Sequence, residues 1–370
     1  MPTTTARTGK RSSFSASSLR GCVVGSSRIR FGIVGCGRIS GFHIDAIMSC
    51  PESAVVAAVC DIDPARAREA AARAGGVPFF NDLGTMLAHG GLDCVSICTP
   101  SGLHPEHGMM AAAAGCHVVC EKPVGTDLES IDRLIETCRA NDRLLFTVLQ
   151  NRFNPTVALT RQAIDKGRFG RLLFAQANVF WTRPQEYYDQ ASWRGSLALD
   201  GGAFMNQASH YVDLVQWIMG QPVEVSAIAG TLARRIESPD TGSAAVRFAG
   251  GAIASINTTM LVYPANLEGS LTLMGTTGTV RIGGIALNRI TTWDFADVDA
   301  MDAGVKDSGY VPPTVYGHGH TGYYRRVISA INGGNAECPD GVEGRKSVRL
   351  ILAIGQASGE GRSVRLQAGQ

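Results

Sequence analysis

The run from Arg28 to Ser40, RIRFGIVGCGRIS, constrains the fold more than any other stretch. Apolar residues at 29–34 read as a buried strand, Gly35 and Gly37 as a tight turn, and Ile39, Phe42, Ile44 and Ile47 carry the spacing of a helix. Strand, glycine turn and helix in that order form a cradle for a dinucleotide. The glycines let the backbone approach a pyrophosphate, and the helix N-terminus offers free N–H groups and a positive dipole end. Gly35, Gly37, Arg38 and Ile39 are therefore expected at the cofactor. Ser40 stands at the third glycine position of this fingerprint, which serves helix-to-strand packing and tolerates a small side chain.

A second apolar strand at 55–60 ends in Asp61. A carboxylate there accepts the ribose hydroxyls and repels an added phosphate, so the expected cofactor is NAD rather than NADP. Asp63 and Pro64 read as the cap and first position of an alanine-rich helix, on which Arg66 and Arg68 form a solvated face. Further apolar strands at 92–98, 117–120 and 144–148 alternate with helical stretches at 105–114 and 127–140. Fully apolar strands alternating with helices predict an α/β Rossmann fold, a doubly wound parallel sheet over 29–150.

After residue 150 the pattern changes. Helices are expected at 154–166 and 202–219, a long strand at 172–181, and short strands with glycine or asparagine turns from 223 to 293. This predicts a C-terminal α+β domain, 151–370, with an open antiparallel sheet that binds substrate and mediates oligomerisation. Helical patterns at 323–331 and 343–354 close the chain and are expected to return to the first domain. Residues 1–28 hold no Asp or Glu and read as a disordered tail, with a transit-peptide composition as the alternative.

The composition excludes several classes of function. A formal net charge of +2 provides no field to steer the chain onto nucleic acid or an anionic membrane. No apolar run reaches the roughly twenty residues that span a bilayer. Ten cysteines in a chain of 370 residues fit reduced thiols and a cytoplasmic location. The spacings Cys94 to Cys98 and Cys116 to Cys120 are wider than a zinc knuckle requires, so no metal is expected.

The carboxyl edge of a parallel sheet is where such folds bind ligands. The fourth strand ends in Cys98-Thr99-Pro100-Ser101 and the fifth in Cys120-Glu121-Lys122-Pro123. Thr99, Pro100, Ser101, Glu121 and Lys122 are thus expected against the cofactor. Gln150, after the sixth strand, is expected near its nicotinamide end or in a plain linker. His104 and His107 read as histidines on the surface of a helix start rather than a metal pair, with His104 close enough to the edge to join the cofactor residues.

The segment from Phe180 to Asp213 gathers arginines, tyrosines, tryptophans, paired glycines and one histidine. Arginine forks bind carboxylate or phosphate, aromatic faces stack on sugars and bases, and histidine takes a proton near neutrality. Arg183, Glu186, Tyr187, Tyr188, Trp193 and Arg194 are the expected substrate residues, with Asn206, His210 and, from the VYPANLEG turn, Tyr263. Phe180 and Trp181 read as core.

The nucleotide turn, Glu121-Lys122-Pro123 and His210 followed by Tyr-Val-Asp-Leu together resemble the Gfo/Idh/MocA family of oxidoreductases. Within it, VFWTRPQEYYD, WRG, DGGAFMNQASHYVDL, NLEGS and VYGHGH are similar to bacterial UDP-N-acetylglucosaminuronic acid 3-dehydrogenases of the WlbA type, which serve surface-polysaccharide sugar synthesis. The resemblance implies that Lys122 hydrogen-bonds the reacting hydroxyl, that His210 accepts its proton, and that the lysine-to-proline bond is cis. It also implies a UDP-sugar substrate, in some relatives 2-oxoglutarate as hydride acceptor, and a homodimer or homotetramer built by packing open sheet faces.

Many relatives carry aspartate where this chain has Asn206, whose amide is expected to hold the hydroxyl one turn above His210 on the same helix face. Asp213 is expected either to orient the imidazole or to stand in solvent. The alternatives are a free-sugar or inositol dehydrogenase, an NAD-dependent glycosidase, and a non-catalytic nucleotide sensor.

Overall fold

The computed structural model describes residues 28–367 except 313, 316 and 336, so the expected tail lies outside the described residues save for Arg28. Six parallel strands form the first sheet in the order β3-β2-β1-β4-β5-β6. They are β1 Ile29–Val34, β2 Ala54–Cys60, β3 Phe79–Phe80, β4 Cys94–Ile97, β5 His117–Cys120 and β6 Leu145–Thr147. Side chains such as Phe31, Ile33, Val95 and Val119 are wholly buried, because helices cover both faces of a parallel sheet. Asp63 accepts from the Ala65 N–H with Pro64 at the first helical position, as the capping pattern predicts. The two-residue β3 is too short to leave a periodic signal.

The second sheet has eight strands, ordered β13-β12-β11-β7-β10-β9-β8-β14. They are β7 Leu172–Phe180, β8 Pro222–Gly230, β9 Thr241–Phe248, β10 Ile253–Thr259, β11 Glu268–Gly275, β12 Gly278–Gly283, β13 Arg289–Phe295 and β14 Val364–Arg365. Its pairings are antiparallel apart from β10 with β7, where Ile256 lies opposite Ala177. Alternation buries Ala175, Ala177, Val179, Ala254, Ile256, Leu271 and Leu273 on the inner face.

The outer face of this sheet carries a row of hydrogen-bonded polar side chains. Ser243 donates to Asn257, Asn257 to Asn178 and Asn178 to Glu268, while Arg281 also donates to Glu268, at 2.6, 3.0, 3.2 and 3.0 Å. This polar ladder crosses five strands.

The helix expected at 202–219 is broken. Gly202–Met205 and Ser209–Met219 are separate helices, with Asn206, Gln207 and Ala208 at the junction. Gly201 and Gly202 both have positive φ, +75° and +81°, so the chain enters the first helix through a tight left-handed turn.

The closing helices are longer than their apolar periodicity, at Gly319–Ile331 and Gly341–Glu360. The first gains its opening turn at His320, ahead of the fully buried Tyr323 and Tyr324. The second continues through exposed Gly355 because Ala357 packs at 1% exposure on its far side. Tyr324 reaches into the parallel sheet, bonding His43 and Ser96 at 2.7 Å each. Among the described residues no helix is long and apolar enough to cross a membrane.

Candidate active site

A cavity of about 1130 Å³ opens at the carboxyl edge of the parallel sheet. Its floor is the glycine turn. Gly35 has φ +88°, its N–H donates to the Cys60 carbonyl at 2.8 Å, and a Cβ would sit 2.6 Å from the Cys98 carbonyl, so only glycine closes the turn between β2 and β4. A Cβ on Gly37 would meet nothing within 4 Å, which leaves the backbone open toward the cavity. Asp61 anchors the turn, accepting from the Cys36 N–H at 2.6 Å and the Asp63 N–H at 2.8 Å. Both oxygens keep lone pairs for ribose hydroxyls.

Gly35, Gly37, Arg38, Ile39, Asp61, Thr99, Pro100, Ser101, His104, Glu121, Lys122 and Gln150 all line this one cavity. A glycine cradle against a helix N-terminus with a carboxylate at the end of β2 fits NAD. His104 is not a surface histidine. It is 1% exposed, and its two ring nitrogens lie 2.7 Å from the Pro123 and Thr99 carbonyl oxygens. Burial lowers its pKa against the pull of those two acceptors. Arg66, expected on a solvated face, also borders the cavity while paired with Asp63 at 3.4 Å.

Lys122 follows β5 in a cis peptide with Pro123, and its Nζ donates to the Asn206 carbonyl at 2.9 Å. Burial lowers its pKa, the charges of Glu121 and Asp200 oppose that, and Arg183 adds to it. Glu121 accepts from the Lys122 N–H at 3.0 Å and lies 2.9 Å from His43 Nε2. Its burial works to raise its pKa, but His320, His43 and the Lys122 charge outweigh that and hold the carboxyl well below its usual range. His320 Nε2 is 4.0 Å away, an ion-pair distance rather than a hydrogen bond. His43, Glu121 and His320 bring three ligand atoms within 4.8 Å, the arrangement of a metal site; here the direct hydrogen bond between His43 and Glu121 already pairs two of them.

His210 opens the Ser209–Met219 helix, 7% exposed, and neither ring nitrogen has a hydrogen-bond partner in the described structure. It stands behind the cavity lining. Burial and the nearby Lys122 charge push its pKa well below the usual imidazole value, with Glu121 opposing. Asp213 does not orient it. That carboxylate is taken by Arg152, at 2.9 and 2.6 Å, and by Ser347 at 3.0 Å. Nor does Asn206 sit one turn above His210 on a continuous helix. The break turns its side chain to Asp200, to which its amide donates, and its carbonyl to Lys122.

Of the expected substrate residues, Tyr187, Trp193, Arg194 and Asn206 line the cavity, joined by Gln190, Ala191 and Ser192, which carried no chemical signal in the sequence. Arg194 stacks its guanidinium 4.2 Å from the Tyr187 ring centroid and donates to the Tyr187 carbonyl at 2.7 Å. Arg183 stands outside the lining, 5.3 Å from both the Trp181 and Tyr187 rings, with Nη1 donating to the Thr182 carbonyl at 2.7 Å. Tyr188 is packed at 5% exposure, Glu186 faces solvent, and Tyr263 is 93% exposed in its loop, so none of these three reaches the cavity within this chain. Trp181 is core, as expected, whereas Phe180 is only partly buried.

Residues 29–149 match the oxidoreductase family with an NAD-binding Rossmann fold, and residues 157–281 match the GFO/IDH/MocA C-terminal domain. The chain belongs to the Gfo/Idh/MocA family. It is an NAD-dependent sugar dehydrogenase of this family, on the same evidence and that of its relatives. The structure of the WlbA dehydrogenase from Bordetella pertussis, in complex with NADH and UDP-GlcNAcA, is 48% identical with a TM-score of 0.89 over 93% of this chain and 99% of that one. The WlbA dehydrogenase from Chromobacterium violaceum, with the same two ligands, is 45% identical with a TM-score of 0.87 over 93% and 97%. Myo-inositol 2-dehydrogenase from Thermotoga maritima is 25% identical over 92% of this chain and 99% of its own length.

Proposed function

We propose that this Gfo/Idh/MocA enzyme oxidises the C3 hydroxyl of UDP-N-acetylglucosaminuronate to the 3-keto sugar. The observation that carries the reading is the 48% identity to a dehydrogenase captured with NADH and UDP-GlcNAcA, along nearly the full length of both chains. The site supports it from this chain's own residues. Arg194, held over Tyr187 and beside Trp193, offers a cation and aromatic faces at the cavity wall. A nucleotide diphosphate and a uronate need such cations, and uracil and sugar need such faces.

Gly35, Gly37 and Asp61 would hold NAD, which would supply the hydride acceptor. The protein handles the proton. Lys122 lines the cavity, and its amine, held by the Asn206 carbonyl, lowers the cost of the developing alkoxide. His210, neutral at pH 7 because burial keeps its pKa low, has one unprotonated ring nitrogen without a partner among the described residues, and that nitrogen takes the hydroxyl proton. Gln150, with its buried Oε1 unpartnered among the described residues, is assigned to the nicotinamide carboxamide, a donor that would satisfy it.

The reading extends to a cytoplasmic homodimer or homotetramer, and to 2-oxoglutarate as an acceptor that returns bound NADH to NAD. Incubation with NAD, 2-oxoglutarate and either UDP-N-acetylglucosaminuronate, UDP-N-acetylglucosamine or myo-inositol, followed by mass spectrometry, tests the assignment. Loss of two hydrogens from the uronate alone is expected. Oxidation of inositol with the uronate untouched would overturn the nucleotide-sugar reading and leave the dehydrogenase fold in place.

A further inference from the structure

Asp200 lies at the end of the loop that carries Trp193 and Arg194 and is 1% exposed. A carboxylate taken that far from water is costly unless it is bonded and paired. Its Oδ2 accepts from the Gly195 N–H at 3.0 Å, its Oδ1 accepts from the Asn206 side-chain amide, and its own N–H donates to the Ser196 carbonyl at 3.2 Å. The other end of Asn206, its carbonyl, accepts from Lys122 Nζ at 2.9 Å. One buried carboxylate therefore ties the loop behind the cavity wall to the residue that holds the lysine.

We propose that Asp200 is the positioning residue for Lys122: its hydrogen bond fixes Asn206 at the helix break so that the Asn206 carbonyl aims the Lys122 amine. The proposal rests on reading Lys122 as the amine that faces the reacting hydroxyl. The helix break is what makes the arrangement work. In a continuous helix the carbonyl of Asn206 would be used by the N–H four residues on, His210, whereas here it is turned to the amine.

The groups whose charges reach Lys122 are Glu121 beside it, Arg183 from the stretch after β7, His210 from the Ser209–Met219 helix, His320 from the Gly319–Ile331 helix, and Asp200. Glu121 is shared with His43, at 2.9 Å, so Asp200 is the second carboxylate that offsets the burial of the amine and the charge of Arg183. Burial raises the Asp200 pKa, and Asn206, Gly195 and the Lys122 charge oppose that rise.

The test reads the amine directly. Purified full-length enzyme is labelled with formaldehyde and a borane reductant across a pH series, and the Lys122 peptide is quantified by mass spectrometry. Asp200→Asn should move the labelling midpoint down by about one pH unit, because a neighbouring opposite charge is lost. The exchange Asp200→Asn with Asn206→Asp, which reverses carboxylate and amide across the same hydrogen bond, should recover most of that shift. A wild-type midpoint in Asp200→Asn, or an exchange variant as shifted as the single one, would overturn the proposal.

Asp200→Ser, also uncharged, repeats the comparison if the amide variant does not fold, and NAD binding reports folding in each case. On whichever sugar the wild type oxidises, the alkaline limb of kcat should move to lower pH in the same variants with KM little changed. A wild type that oxidises none of the sugars refutes the substrate reading alone, since the labelling midpoints need no substrate.

Discussion

Lys122 and His210 are both charge-capable groups in surroundings that favour their neutral forms, and each is displaced from its ordinary pKa in the direction burial dictates. Replacing Lys122 by Ala should cut kcat by about 10²-fold or more with NAD affinity retained; fluorescence titration with NADH beside steady-state rates separates the two. Replacing His210 by Asn should lower kcat by about 10²–10⁴-fold and remove the acid limb of the pH profile.

The folded pKa values of His210 and His320 are both lowered, so the unfolded chain binds their protons first as pH falls. Their contribution to stability is therefore complete above the unfolded value of about 6.5 and is lost as pH drops toward the folded values. Melting temperature should fall between pH 7 and 5, and His320→Asn should flatten that slope.

At the scale of elements, two glycines argue opposite cases. Gly35→Ala forces a side chain onto positive φ and into the Cys98 carbonyl, and should cost about 1–3 kcal/mol and most NAD affinity, measured by thermal denaturation and NADH titration. Gly355→Ala lies in a helix interior with nothing within 4 Å of the new Cβ, and should raise stability by about 0.5–1 kcal/mol. The strands and the glycine turn were legible because apolar runs and turn residues are local signals. The break at 206–208 was not, since the apolar spacing of Phe204, Tyr211, Leu214 and Trp217 continues through it while the backbone there bends to serve Lys122 and Asp200.

Across the whole molecule, Arg152 is the tie between the parts. It is nearly buried, bonds Asp213 and Glu343, and stacks 4.8 Å from the Trp217 ring, joining the turn after β6 to one helix over the second sheet and to the long C-terminal helix. Arg152→Ala would strand Asp213 as a buried unpaired charge and should cost about 3–5 kcal/mol, read by denaturant unfolding. Light scattering should return a mass of at least twice the 39.1 kDa chain if the open sheet faces pair. The Ser-Asn-Glu ladder on the outer sheet face would then lie in that contact.

Local order along the chain determined the parallel sheet, the glycine turn, Asp61, and the placement of Glu121 and Lys122 at a strand end, because each depends on residues close in sequence or on the shared carboxyl edge of parallel strands. The tertiary structure decided which later residues meet them. His43 comes from the first helix, Asp200 from the loop before Gly201 and His320 with Tyr324 from one turn of the Gly319–Ile331 helix, and no sequence spacing relates these three segments. Burial then did what sequence cannot express: it lowers the pKa values of His210 and Lys122 through the loss of water around them, while His43, His320 and the Lys122 charge hold Glu121 ionised against its burial.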